Sequence, residues 1–337
     1  PPNFSLNKEK PPLGDFLLRF LWSSRHPRER YTLAPMAVPD RIMYHTKDGW
    51  EIQLERFPNT KGRGEPLIIS TGPVIHPRIL TLDKAVALQS LRAQGFDVYL
   101  FSHRGHSLSK PLSEVNQLRF DHIIQQDIPA AIDAVKRVSK SKRVFWLGHG
   151  LGGLMLYAWL SYGGGRDIAG AITIDSPAFF APGSRRKLLK LLSHLLPENR
   201  SLPTSPIALL GSQMNPTLSS ALSPRLNRSI LRYGCEDIST DLFKQMMQWL
   251  ESGRFFSYHQ GHNYLTGLKG SQTPIMFMSG LSDEINAYLR PMRGYFQNSS
   301  LHVGKWDVFP LLEEQAASLT EKMHLWAKPY RDKCWTE

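Results

Sequence analysis

Four apolar residues, Val144-Phe145-Trp146-Leu147, run without interruption into Gly148-His149-Gly150-Leu151-Gly152-Gly153. No other feature constrains the fold as much. A short continuous apolar run suits a strand buried on both faces of a parallel sheet. The glycines at alternate positions then let the chain turn sharply and leave at once as a helix packed close to the strand it came from. The apolar stretch Leu154 to Tyr162 supplies that helix, and Gly163-Gly164-Gly165 stops it. A strand, tight turn and helix in this order hold the middle side chain of the turn up at the carboxyl end of the sheet. That middle position is Gly150, which offers no hydroxyl or thiol to attack an acyl carbon.

The pattern repeats on either side. Arg41 to Thr46 and Trp50 to Phe57 flank Lys47-Asp48-Gly49 and predict a β-hairpin around an Asp-Gly turn. Pro66 to Thr71 and Phe96 to Phe101 predict buried strands, separated by a helix from Leu82 to Gln94 that ends at Gly95. Apolar residues at helical spacing predict a helix over Phe120 to Ser139, and Ile168 to Ile174 is the next strand. From Pro182 to Gly270 the alternation stops, and helical stretches such as Arg185 to Leu196 and Thr240 to Ser252 sit among Pro-, Ser- and Asn-rich connections. Strands return at Pro274 to Gly280 and near Leu301 to Val303, and a helix from Pro310 to Ala327 follows. The expected fold class is therefore α/β: a doubly wound, mostly parallel sheet with a helical cap insertion. Residues 1–40 form an arm with a short amphipathic helix, residues 41–181 and 271–337 the core, and residues 182–270 the cap.

The chain has 337 residues, 41% of them hydrophobic and 21% charged, enough to bury a sizeable core around one sheet. Its 41 Lys and Arg against 29 Asp and Glu give a formal charge of +12. Residues 182–270 carry eleven Lys/Arg and five Asp/Glu, hence +6 of that charge. Such a surplus favours acidic protein partners in a larger assembly, or peripheral contact with an anionic membrane surface. The basic residues are dispersed, which argues against nucleic acid as the partner. The segment Leu13 to Trp22, interrupted by Asp15 and Arg19 and followed by a basic stretch, either lies on a membrane or packs on its own domain. Nothing approaches twenty consecutive apolar residues. Cys235 and Cys334 stand far apart, so no disulfide framework is expected and a reducing compartment is favoured.

Five short motifs stand in a fixed order: the turn near Gly72, Phe101-Ser102-His103-Arg104-Gly105-His106-Ser107, the glycine turn itself, Gly280-Leu281-Ser282-Asp283, and Gly304-Lys305-Trp306-Asp307. Over roughly residues 41 to 328 this layout resembles the α/β-hydrolase superfamily, most closely its lipase-like and polyhydroxyalkanoate-synthase-like members. The resemblance implies a nucleophile on the turn, a histidine base after the last strand and a carboxylate that orients the histidine. Gly150 stands where the nucleophile belongs, and Lys305 where the histidine belongs. Asp283 matches the acid position, or else it caps the helix that starts beside it. His302 would reach the base position only if the strand end were shifted. The Leu151 amide and the loop at Gly72 match the oxyanion hole, although Pro73 brings no amide.

His76, His103, His149 and His302 are the candidate pocket-rim histidines. His149 is alternatively a packed core residue, and Arg104 is expected to be structural. No pair of histidines has zinc-ligand spacing on one helix face, so neither a metal site nor a cofactor is expected. Gly148-x-Gly150-x-x-Gly153 has the spacing of a dinucleotide fingerprint, but that coincidence follows from the glycine at the apex. Ser70, Ser102, Ser107, Ser279 and Cys235 are the side chains that could supply a displaced nucleophile. With two of three catalytic positions changed, the leading expectation is a catalytically degenerate protein acting as a binding or structural module. The alternatives are a hydrolase or acyltransferase acting on an ester or acyl substrate with a non-standard nucleophile, and a small-molecule receptor.

Overall fold

The computed structural model describes residues 38–82, 85–106, 109–112, 118–179, 196–198, 200–202, 234–280, 283–304, 306, 310–312 and 315–336. The amphipathic amino-terminal segment, the Arg185 to Leu196 helix up to residue 195, and Lys305 lie outside them. Among the described residues the central sheet has nine strands, eight of them five residues or longer: β1 Asp40–His45, β2 Trp50–Phe57, β3 Glu65–Ser70, β4 Phe96–Leu100, β5 Val144–His149, β6 Ile168–Ile174, β7 Ile275–Ser279 and β8 Ser299–Val303. Their spatial order is β1-β2-β4-β3-β5-β6-β7-β8, and the two-residue strand Lys110–Pro111 also pairs with β2. β1 and β2 form the expected hairpin, pairing Asp40 with Arg56 through His45 with Glu51. Thr46 shapes its turn, donating from its hydroxyl to Asp48 at 2.6 Å and accepting from the Trp50 amide at 3.0 Å. From β4 to β8 every pairing is parallel.

The order of strands places the site. The chain leaves β3 for β4 on one side and returns to β5 on the other, so the loops after β3 and β5 diverge from neighbouring strand ends. Such a reversal opens a crevice at the carboxyl edge of the sheet.

Both faces of the sheet are covered, as the continuous apolar strands require. On one face lie α1 Val86–Ala93 and α7 Ala316–Ala327, where Leu88, Leu91, Leu319 and Met323 pack on Leu67, Ile69 and Leu147. On the other lie α2 Ile128–Ser139 and α3 Leu151–Ser161, joined by α4 Thr240–Ser252 and α5 Tyr264–Leu268 from the expected cap, with Trp146, Trp249 and Tyr264 in one apolar cluster. α6 Asp283–Met292 follows β7.

Three elements differ from expectation in their limits. Residues Pro77–Thr81 form a separate 3-10 turn, and α1 starts only at Val86. The helix predicted over Phe120 to Ser139 contains a π-helical turn at Ile123–Asp127 directly before Pro129, whose missing N–H removes one α-type bond. Helix α7 starts at Ala316 rather than Pro310. None of the described helices is long and apolar enough to cross a membrane.

Candidate functional site

β5 ends in the turn that its glycines anticipate. Gly150 has φ 54° and ψ −118°, its amide donates to the Ile174 carbonyl at 2.9 Å, and α3 begins at the next residue. The other glycines are there because backbone fills the place of a side chain. A Cβ on Gly148 would lie 2.6 Å from the Gly152 oxygen, and one on Gly152 would overlap the Ser70 carbonyl. Among the described residues, a Cβ at Gly150 would meet nothing within 4 Å. The apex therefore points into open space, as an apex carrying a nucleophile would.

The loop after β3 leans on the start of α3. Gly72, at φ 87°, allows this approach, since a Cβ there would come 2.5 Å from the Leu151 Cβ. Its amide donates to the Ser70 hydroxyl at 3.3 Å, and the Thr71 hydroxyl donates to the Ile75 carbonyl at 2.5 Å. The Gly72 amide is thus turned inward, and the Leu151 amide stands at the first helical position of α3. Amides there have no carbonyl one turn back within the helix, and the helix dipole adds positive potential.

The expected rim histidines separate into three environments. His76 and His103 are interior residues, 1% and 2% exposed, so neither stands at a rim. With His106 they form a cluster whose ring centres are 4.8 Å (His76–His106) and 3.7 Å (His103–His106) apart. His76 accepts at Nδ1 from the Arg78 amide at 3.0 Å, so its proton is on Nε2 and faces the Ser102 oxygen at 2.9 Å. In that tautomer His76 donates to Ser102 and cannot act as its base. Burial, with Arg78 and His103 nearby, holds His76 down at about 3. Burial likewise holds His103 at about 4 and His106 well below the usual imidazole range. His302 faces Lys322, with Nε2 2.9 Å from its amine, and lies beside the Trp306 ring. The Lys322 contact occupies the ring nitrogen that base chemistry would need.

His149 differs from all of these. It is half-buried at the end of β5, and its ring lies within electrostatic reach of Asp175. Asp175, directly after β6, is a functional candidate that no sequence motif marks. It has φ 46°, an unusual value for a side-chain-bearing residue. Its carboxylate accepts from the Gly280 amide at 2.9 Å and from Trp306 Nε1 at 3.0 Å. Burial raises its pKa, while these two donors and His149 pull it down. The positive φ could not be read from sequence. Asp175 thus occupies the crossing point of the loops after β6, β7 and β8. Asp283 is the first residue of α6, and Lys305 lies outside the described residues.

Of the candidate displaced nucleophiles, Ser70, Ser102 and Ser279 are at most 1% exposed and cannot meet a substrate. Ser107 lies outside the described residues. Cys235 is half-buried, and its backbone pairs with Ile75. Arg104 is structural as expected: fully buried, it donates to Asp127 at 2.7 Å and to Asp48 at 2.6 Å. Among the described residues no group of three His, Cys, Asp or Glu side chains is placed to hold a metal ion.

The strand order, the glycine turn at β5 and the loops that meet beyond β6 to β8 decide the architecture. The chain has the α/β-hydrolase fold. A hydrolase family model described as serine aminopeptidase, S33, matches residues 84–233 of the chain. Among solved structures it is similar to a hydrolase from Pseudomonas aeruginosa, with TM-score 0.60, 15% identity, and 85% of this chain and 98% of that one covered. It is also similar to an esterase from Exiguobacterium antarcticum, with TM-score 0.62, 16% identity and coverage of 85% and 99%. A monoacylglycerol lipase from Paleococcus ferrophilus matches with TM-score 0.55, 18% identity and coverage of 81% and 98%. No curated protein matches the chain by sequence.

These matches correct the leading expectation of a non-catalytic binding or structural module. The family model is a hydrolase model, and the similar structures include an esterase and a lipase, so they point to the chemistry of the alternative, a hydrolase or acyltransferase acting on an ester or acyl substrate. The physical reason the expectation failed is that it weighed side chains alone. The backbone at the apex and the start of α3 keep their geometry without the Gly150 side chain.

Proposed function

We propose that the protein is a hydrolase of ester or acyl bonds, that its site is the turn at Gly150, and that its attacking group is not a side chain of the apex residue. One observation carries this: Gly150 holds φ 54° and ψ −118° beneath open space, directly before the first amide of α3. The Leu151 amide at a helix start can stabilise the negative charge that develops on a carbonyl oxygen during attack. The match to a hydrolase family model and the similarity to esterase and lipase structures support the same class of reaction.

The test is turnover of p-nitrophenyl esters of increasing chain length by the full chain and by Leu151→Pro. Proline is tolerated at the first helical position but brings no amide, so the variant should fold while its rate falls about 100- to 1000-fold, the loss typical of one oxyanion donor. Rates equal to the uncatalysed reaction, or a Leu151→Pro variant as fast as the parent, would sink the proposal.

A further inference from the structure

The connections from which β3 and β5 start carry cations, and the end of the chain brings more to the same edge of the sheet. Lys61 and Arg63 precede β3, Lys140 and Lys142 precede β5, and Lys328 and Lys333 lie in the 3-10 turn Lys328–Cys334 that follows α7. Direct contacts hold the three segments together. The Arg63 guanidinium donates to the Lys140 carbonyl at 3.1 Å and stands 3.7 Å from the centre of the Trp335 ring, and the Lys142 amide donates to the Cys334 carbonyl at 2.6 Å. Lys61, Arg63, Lys140, Lys142 and Lys328 are exposed. The loop that presents Lys61 is pinned by Asn59, which accepts from the Lys61 amide at 2.6 Å and donates to Asp97 at 3.0 Å. Carboxylates at this edge are largely engaged: Glu65 lies 2.9 Å from Arg331 and Asp97 2.6 Å from Arg56, while Asp332 is exposed. A cation at a helix end complements the dipole, which accounts for Lys140 after α2 and Lys328 after α7. Lys61 and Arg63 follow a strand, so the dipole gives no reason for them.

We propose that this edge docks on an anionic membrane surface, with Lys61, Arg63, Lys140, Lys142 and Lys328 against the lipid headgroups. Charge complementarity is the first ground, and it acts with the surplus of +12 that the whole chain carries. The kind of cation is the second. Four of these five are lysines, point charges that need no fixed partner geometry, which suits a fluid array of headgroups better than the ordered carboxylates of a folded partner. The third is what lies between the cations. Trp335 is half-buried beneath Arg63, the Tyr330 ring centre is 5.1 Å from the Lys333 amine, and Leu325, three residues before Lys328, is 59% exposed. Rings with an apolar body and a polar edge settle at the headgroup level of a bilayer. A nucleic-acid backbone would gain nothing from Leu325. The six residues of β5, roughly 17 Å of strand, separate this edge from the turn at Gly150. Docking therefore leaves that turn at the far end of the sheet from the bilayer.

The experiment is sedimentation of the full chain with vesicles of equal parts phosphatidylcholine and phosphatidylserine, beside vesicles of phosphatidylcholine alone. The protein should bind the first and not the second. Raising salt from about 0.1 M to about 1 M shortens the screening length from about 10 Å to about 3 Å and should release it. Each cation near an anionic bilayer strengthens binding about fivefold, so a variant combining Lys61→Gln, Lys140→Gln and Lys328→Gln should bind about 100-fold more weakly, with its circular dichroism unchanged. No binding to the mixed vesicles, equal binding to both kinds, or a triple variant that binds as tightly as the parent would overturn the proposal. Tighter binding to polyglutamate or to duplex DNA at equal charge concentration would do so as well, by assigning the edge to an acidic protein or a nucleic acid. The comparison of vesicles and the salt titration need no variant. Ester turnover is not measured, so the outcome is independent of whether the protein is a hydrolase.

Discussion

A side chain on Gly152 would overlap the Ser70 carbonyl oxygen, whereas, among the described residues, one on Gly150 would touch nothing within 4 Å. Two glycines two residues apart in the same turn are thus held by different physics. At Gly152 the reason is space, because backbone cannot move aside. At Gly150 it is conformation alone, since φ 54° with ψ −118° strains any residue with a Cβ. Gly150→Ala should therefore cost about 1–3 kcal/mol, the usual strain of one such residue, and Gly152→Ala distinctly more. Urea unfolding of both variants measures the difference, and equal losses would contradict this division. The sequence shows four glycines and cannot separate them, because the separating atom, the Ser70 carbonyl, belongs to another strand.

Arg104 joins three elements that are distant in the chain. It reaches Asp48 in the β1–β2 turn and Asp127 in the π-helical turn before α2, and its guanidinium stands 5.5 Å from the Trp50 ring. Asp127 also accepts from the Arg104 amide at 2.8 Å, which fixes the loop after β4. Removing Asp127 breaks one of the two buried pairings of Arg104 and leaves that with Asp48, which places the cost at the low end of the about 3–5 kcal/mol of a broken buried ion pair. Asp127→Ala should lose that amount in urea unfolding, and a loss under about 1 kcal/mol would show that water takes the carboxylate's place. The sequence made Arg104 recognisable through its motif. Asp127 was not, because nothing in an amphipathic helix pattern marks where a wide turn before Pro129 will carry a carboxylate inward.

At the scale of the molecule, the buried His76, His103 and His106 make stability depend on pH. Unfolded, these imidazoles titrate near 6.5, while in the fold His76 and His103 are held at about 3 and about 4. Between those limits the unfolded chain binds more protons, so the stability they leave intact above pH 6.5 is lost as pH falls toward 4. Burial raises Asp127 and offsets part of that slope. The His103→Gln variant should lose less stability than the parent between pH 6.5 and 4.5, as read from urea midpoints at constant ionic strength. Parallel profiles for the two proteins would show that His103 does not contribute. The sequence by itself determined the α/β alternation, the hairpin at Asp48-Gly49, the turn at Gly150 and the missing apex nucleophile. Those features follow from side-chain periodicity and from glycine's lack of a Cβ, which are local properties. Only the tertiary structure decided that His76 and His103 are interior, that His302 is held by Lys322, and that Asp175 is held by Gly280 and Trp306. Burial and pairing across strands depend on which segments become neighbours in the sheet, and no residue carries that information alone.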